Sequence, residues 1–267
     1  MVSLRSCGVI VDLDNTLVDG DFSKKFYERI LKKAGLVGKV SVEELRGLLR
    51  RYHFEKVKEK KYKEAFNWDA IFKEMMKREF SIHIEPTSDQ ITEEDIRSED
   101  GRKLVHGARE LLDFLRRNVC KTILLTNGYA KYQVPVIKFF GLDKYFDRIL
   151  TAEYLQEIKP TRIAYEYVIS YLKENGCRKT VMIGDHLFYD LYGALNSGVN
   201  FVILRRDHCY RKGLITIEEL LNEITQKERF YNVKTLLEPF KNRVVACFEN
   251  CLEIIEFLEN DFIKLEF

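Results

Sequence analysis

No run of apolar residues in this chain approaches the roughly 20 needed to cross a bilayer. The first residues, MVSLRSCGVIVDLDN, hold neither a long apolar core nor a small-residue cleavage site. A soluble, cytoplasmic protein is therefore expected. Charge of one sign is missing too: 44 Lys and Arg stand against 42 Asp and Glu, a formal net charge of +2, so no pervasive basic field argues for nucleic acid. The basic stretch KVKEKKYKE, Lys56 to Glu64, interleaves glutamates with its lysines and reads as a solvated helix face. There is no C-x-x-C pair. Cys7, Cys120, Cys177, Cys209, Cys247 and Cys251 are scattered and read as small apolar side chains on strands and helices. Cys247 and Cys251 stand one helical turn apart, but no further ligands complete a zinc site around them. Glutamine is confined to Gln90, Gln133, Gln156 and Gln226 while lysine and glutamate abound. That balance is met in thermophiles, some of which keep intracellular disulfides.

What is present is enough apolar material, 46% of 267 residues, for a sizeable interior. It opens with VIVDLDNTL at residues 9 to 17, a strand-forming run that closes on Asp12 and Asp14. Alternate residues of a strand share a face, so two carboxylates would sit side by side and repel. A cation, a substrate that uses both groups, or an edge turn would each account for the pair.

After this strand the spacing turns helical. Phe22, Phe26, Ile30 and Leu31 form one apolar face, Val42, Leu45, Leu48, Leu49 and Tyr52 a second, and Ile71, Phe72, Met75 and Met76 a third. Asn67 or Asp69 caps the last of these helices. Residues 84 to 101 are polar and acidic and read as a connector with at most one helical turn. From Leu104 helices alternate with the strands KTILLTNG, FDRILTAE, TVMIGD and NFVILRRD, which implies a mostly parallel sheet covered on both faces. The helical block at 20–101 is then an insertion between the first strand and the rest. Beyond 227 the chain reads as more helix, VVACFENCLEIIEFLEND, whose stripe (Val244, Val245, Phe248, Leu252, Ile255, Leu258) packs on the core.

Ligands of open parallel sheets bind beyond the carboxyl ends of the strands. Those ends carry Asp12 and Asp14, Thr126 and Asn127, and Asp185, and Lys159 stands beside Pro160 at a helix start. Carboxylates, a hydroxyl, a lysine and turn amides suit a phosphate group with a hard divalent cation. His186 reads as a substrate-facing or solvent-facing residue, because such a cation prefers oxygen. His53, His83, His106 and His208 show no zinc spacing.

The stretches VDLDNT, LLTNG, IKP and IGDHLFYD resemble the four motifs of the haloacid dehalogenase-like hydrolase superfamily. The likeness continues in FGLDKYFDRI and DLYGALNSGVNFVILRRD and spans roughly residues 7 to 206. It implies an α/β fold with a Rossmann-like three-layer parallel core at 1–19 and 102–226. A helical cap of the C1 type is expected at 20–101, with extra C-terminal helices at 227–267. It also implies a phosphomonoesterase acting on a small phosphorylated metabolite (phosphoglycolate-like, sugar phosphate or nucleotide), as monomer or homodimer. A phosphomutase and a non-catalytic phosphate-binding or partner-binding member are the alternatives. By the same resemblance Asp12 is the nucleophile, Asp14 the acid and base, and Thr126, Asn127 and Lys159 hold phosphate. Mg²⁺ would take Asp12, the Asp14 carbonyl and Asp185, with Asp190 supporting from behind.

Overall fold

In the computed structural model, which describes residues 4–83, 91–205, 212–223 and 231–265, the opening strand β1 (Cys7–Val11) is buried at every position. Its place in the sheet is the cause. It pairs in parallel with β4 (Lys121–Leu125) on one edge and β6 (Lys179–Gly184) on the other. With β5 (Arg148–Leu150), β7 (Asn200–Leu204), β8 (Gly213–Thr216) and β9 (Val244–Phe248), the seven-stranded order is β5-β4-β1-β6-β7-β9-β8. Every neighbouring pair is parallel except β9–β8. The chain leaves β1 toward β4 and β5, then returns to β6 on the opposite side. The strand order reverses between β1 and β6, which leaves a crevice at their carboxyl ends.

Successive β1 residues face opposite layers: Val9 and Val11 join one apolar cluster, Ile10 the other. α6 (Ala108–Asn118), α7 (Ala130–Phe139) and α13 (Cys251–Asn260) cover the first face. The second is covered by α9 (Arg162–Glu174), a π-helical turn at Leu187–Tyr192, α10 (Gly193–Asn196), α11 (Ile217–Glu223) and α12 (Val233–Leu237). A single turn, α8 (Ala152–Leu155), follows β5.

The inserted helices leave and re-enter through a two-stranded antiparallel ribbon, β2 (Val18–Asp19) with β3 (Lys103–Leu104). Between them lie α1 (Lys24–Lys33), α2 (Val42–Lys58), α3 (Tyr62–Ala65), α4 (Trp68–Phe80) and α5 (Glu93–Arg97). Their starts follow side-chain caps. Ser23 accepts from the Phe26 amide, Ser41 and Glu44 form a capping box, and Asn67 accepts from the Ala70 amide. Asp69 is thereby released from capping and ties the cap to the core, pairing with Lys131 and accepting from the Tyr132 hydroxyl at 2.5 Å. Tyr62 meets Phe188 at 5.3 Å between ring centroids on the far side. In the basic stretch, Lys56 pairs with Glu74 at 2.9 Å and Val57 is buried.

Two expectations are corrected. The tail is not all helix: Val244–Phe248 is β9, hydrogen-bonded between β7 and β8, and the helix begins only at Cys251. A strand buried on both faces shows a continuous apolar run, which mimics a buried helix. Cys120 and Cys177 are not separate thiols but a disulfide, whereas Cys7, Cys247 and Cys251 are buried thiols outside that bond. Residues 84–90 of the connector, His208 and Cys209 lie outside the described residues. The helical turn expected in the connector is α5, capped by Thr92.

Candidate active site

β1 stops at Val11, and the chain then turns so tightly that the amides of Leu17 and Val18 both donate to the Leu13 carbonyl. Asn15 at the turn has φ 61°, a left-handed conformation that asparagine tolerates. The Asp12 amide still donates to Ile183 on β6 at 3.0 Å, which fixes its side chain over the crevice. The Thr16 hydroxyl donates to Asp12 Oδ2 at 3.3 Å.

At the end of β4, Thr126 is buried and its hydroxyl accepts from the Gly128 amide at 3.2 Å. The Asn127 carboxamide grips the backbone of Lys159 at both ends, accepting from its amide at 2.8 Å and donating to its carbonyl at 3.0 Å. Resemblance suggests only the amide of Asn127 as functional; its side chain adds the positioning of Lys159. That lysine is 2% exposed and its ammonium lies between Asp12 and Asp190, the latter at 2.6 Å. Asp190 spends its second oxygen on the His186 amide at 3.0 Å. It can come this close because residue 184 is glycine: a Cβ there would stand 2.7 Å from the Asp190 carboxyl. His186 does not face the crevice with a free Nδ1, which accepts from the amides of Phe188 and Tyr189 and caps the π-helical turn.

Asp12, Asp185 and Asp190 can each bring a carboxylate oxygen within 4.8 Å of the others. Burial, reinforced by Asp190 and Asp14, pushes Asp12 up to about 7 against the opposing pull of Lys159. Desolvation and the neighbouring Asp190 and Asp12 raise Asp185 well above the usual carboxylate range. Burial alone would lower Lys159, but Asp12 and Asp190 outweigh it and hold the ammonium charged. One lysine among so many carboxylates leaves negative charge uncompensated, and all the nearby donors are hard oxygens. A small divalent cation fits that donor set.

Asp14 is treated differently. Arg102, at the return of the cap, donates to one of its oxygens at 2.6 Å, and Gln133 on α7 donates to the other at 2.6 Å. Neither partner stood out in the sequence. Gly128 carries the only local sign of Gln133, whose amide would overlap any Cβ at that position. All seven sequence-chosen residues, Asp12, Asp14, Thr126, Asn127, Lys159, Asp185 and Asp190, line one recess of about 230 Å³.

A capped, mostly parallel sheet with an acidic crevice at the switch point is a three-layer α/β arrangement whose site could take a phosphate group and a cation, and sequence comparison specifies its family. Residues 8–198 match the family of haloacid dehalogenase-like hydrolases, and the chain belongs to that family. Among similar proteins, a pyrimidine 5′-nucleotidase of Streptococcus pneumoniae is 32% identical over 102 residues, 38% of this chain and 43% of that protein. The match thus spans less than half of that relative's length. A glyceraldehyde 3-phosphate phosphatase of Methanothermobacter thermautotrophicus is 24% identical over 82% of this chain and 97% of its own. The solved structure of the HAD-hydrolase YfnB of Bacillus subtilis, bound to magnesium, superposes with TM-score 0.60 at 15% identity, covering 95% of this chain and 99% of that one. No helix among the described residues is long and apolar enough to cross a membrane.

Proposed function

We propose that the protein is a Mg²⁺-dependent phosphomonoester hydrolase that works through an aspartyl-phosphate and acts on a small phosphorylated metabolite. The observation that carries this reading is the unequal treatment of two aspartates two residues apart. Asp12 faces a buried lysine and two further carboxylates, while Asp14 is held by Arg102 and Gln133 on the cap side.

An Asp12 oxygen attacks phosphorus and the ester P–O bond breaks, with the leaving oxygen taking a proton from Asp14. Asp14, now a carboxylate, removes a proton from water as that water attacks the phosphoryl group on Asp12. Inorganic phosphate departs, Asp12 is a carboxylate again and Asp14 is again protonated. Lys159 and the Thr126 hydroxyl hold phosphate oxygens, and the Asn127 carboxamide keeps the Lys159 backbone in register. Asp12, Asp185 and the Asp14 carbonyl would hold Mg²⁺, with Asp190 fixing Lys159 and the turn behind. Bound there, the ion would offset charge on the phosphoryl oxygens. Residues 20–101 serve as the cap over a core of 1–19 and 102–226 that β9 and α13 of the C-terminal extension complete, excluding bulk water during transfer. The protein works in the cytoplasm, as a monomer or homodimer.

The test is phosphate release from a panel of phosphomonoesters with Mg²⁺ or with chelator, and with Asp12→Asn in parallel. Magnesium-dependent release that falls by at least about 10⁴-fold in the variant is the expected result. Release that survives the substitution, or no trapped phosphoryl group on Asp12, would overturn the reading.

A further inference from the structure

The relatives with printed activities act on unlike substrates, a nucleotide in one case and a triose phosphate in another. The leaving-group side of the cleft is more specific. A second recess of about 430 Å³ continues from Asp14 and Asn15 past Arg102 to Trp68. A belt of rings runs along both recesses. His53 stacks on Trp68 at 5.2 Å and 24°, and meets Phe66 at 5.5 Å; Phe66 meets Tyr189 at 5.3 Å, which meets Tyr231 at 5.4 Å. The belt draws on the cap helices, the π-helical turn and the segment before α12, elements far apart in the chain. Four of its rings, His53, Phe66, Trp68 and Tyr231, stay half-buried beside the cleft rather than sealed in the core.

Charge narrows the choice further. The only lysine or arginine among the described residues lining the two recesses are Lys159 and Arg102, and each is ion-paired with an aspartate of the site. The far recess carries Asp19 and Asp21 instead. Burial lowers the pKa of His53, so its ring stands neutral. A leaving group with a carboxylate would meet no uncommitted cation among the described lining residues and would face the carboxylates of Asp19 and of Asp21, the latter paired with Arg50 at 3.4 Å. An uncharged planar ring gains stacking area, and sugar hydroxyls find carboxylate acceptors.

We propose that the leaving group is a nucleoside and the substrate a nucleoside 5′-monophosphate, its base lying against the rings of His53, Phe66 and Trp68. This rests on the phosphatase reading above, and the experiment separates the two. With Mg²⁺, kcat/KM is measured for UMP, AMP, ribose 5-phosphate, 2-phosphoglycolate and acetyl phosphate. A nucleotide is expected to exceed ribose 5-phosphate by at least about tenfold, the scale of one base stacked on an aromatic side chain, and 2-phosphoglycolate by more. Phe66→Ala should cost the nucleotide about tenfold and ribose 5-phosphate less than about threefold.

Trp68 is the single tryptophan of the chain, so its fluorescence gives a direct readout that does not depend on a wall variant folding. In the Asp12→Asn protein with Mg²⁺, UMP or AMP should change that emission while ribose 5-phosphate does not. Turnover of acetyl phosphate without preference for nucleotides, an equal loss on every substrate in Phe66→Ala, or emission indifferent to nucleotides overturns the assignment. No turnover of any compound, acetyl phosphate included, removes the phosphatase reading and the assignment with it.

Discussion

On the floor of the cleft, the side chains of Lys159, Asp12 and Asp190 are 2%, 8% and 1% exposed and are joined by ion pairs. On the wall, His53, Phe66, Trp68 and Tyr231 are half-buried and meet through ring faces and edges. Directional bonds between charges tolerate little displacement, whereas apolar rings can slide and tilt at small cost. The floor therefore suits one invariant chemical group, and the wall suits a variable one. Damage to the floor should lower turnover of every substrate alike, and damage to the wall should separate one substrate from another.

The largest effect is expected from Lys159→Met, which keeps the apolar stem and removes the charge. Loss of one such fixed charge costs about 10²–10³ in kcat, here on all phosphomonoesters together. It also leaves Asp12 and Asp190 facing each other, so unfolding in chelator should come about 3–5 kcal/mol sooner. Steady-state kinetics on two dissimilar substrates checks the first point; a loss confined to one of them would dissolve the distinction between floor and wall.

Gly184→Ala probes the same floor without touching a charge. The new Cβ would meet the Asp190 carboxyl at 2.7 Å, so Asp190 must shift and Lys159 with it. A destabilisation of about 1–3 kcal/mol is expected, with a uniform fall in kcat smaller than that of Lys159→Met. Denaturant melts and the same two substrates measure both; unchanged stability would mean that Asp190 has room to retreat.

Asp12 and Lys159 were legible because one follows an apolar strand and the other stands at a helix start, where the chain order brings groups to one edge of a parallel sheet. Asp190, inside the π-helical turn, came only from the resemblance to the fourth motif. Arg102 and Gln133 were not legible, since they reach Asp14 across 88 and 119 positions and from helical or hinge segments with no motif around them. The wall was not legible: nothing in the spacing of His53, Phe66 and Trp68 sets them apart from the core aromatics of the cap or brings Tyr189 or Tyr231 beside them. β9 was misread although Asn250 marked the boundary, its side chain accepting from the amides of Leu252 and Glu253 as an N-cap does. A helix that starts at Cys251 cannot include Val244–Phe248.

Removing the metal sharpens the comparison through pH. Without a cation Asp12 lies near 7 in the folded chain, against about 3.9 when unfolded. A folded value above the unfolded one means that the native state binds the extra proton. The associated stability is present below about pH 4 and lost as the pH rises through about 7, and the raised Asp185 acts in the same direction. In chelator, stability should fall by on the order of 2 kcal/mol from pH 5 to 8, and Mg²⁺ should flatten the curve. Melting curves across that range decide it. A chelated protein that grows more stable toward pH 8 would show that Lys159 alone balances the floor.

The smallest effect on activity is expected where neither floor nor wall is touched. Cys120 immediately precedes β4 and Cys177 precedes β6, so their disulfide ties the amino ends of strands whose carboxyl ends carry Thr126 and Asp185. It closes a loop with a sequence separation of 57 residues, and its loss should cost about 2–4 kcal/mol, mostly by freeing the unfolded chain. A doubly substituted Cys120→Ser, Cys177→Ser protein should melt several degrees lower, yet keep kcat/KM within about twofold below its transition. If activity instead fell while the chain stayed folded, the two ends of the sheet would be coupled. The rigidity of the floor would then depend on strand register fixed at the opposite edge, not on its ion pairs alone.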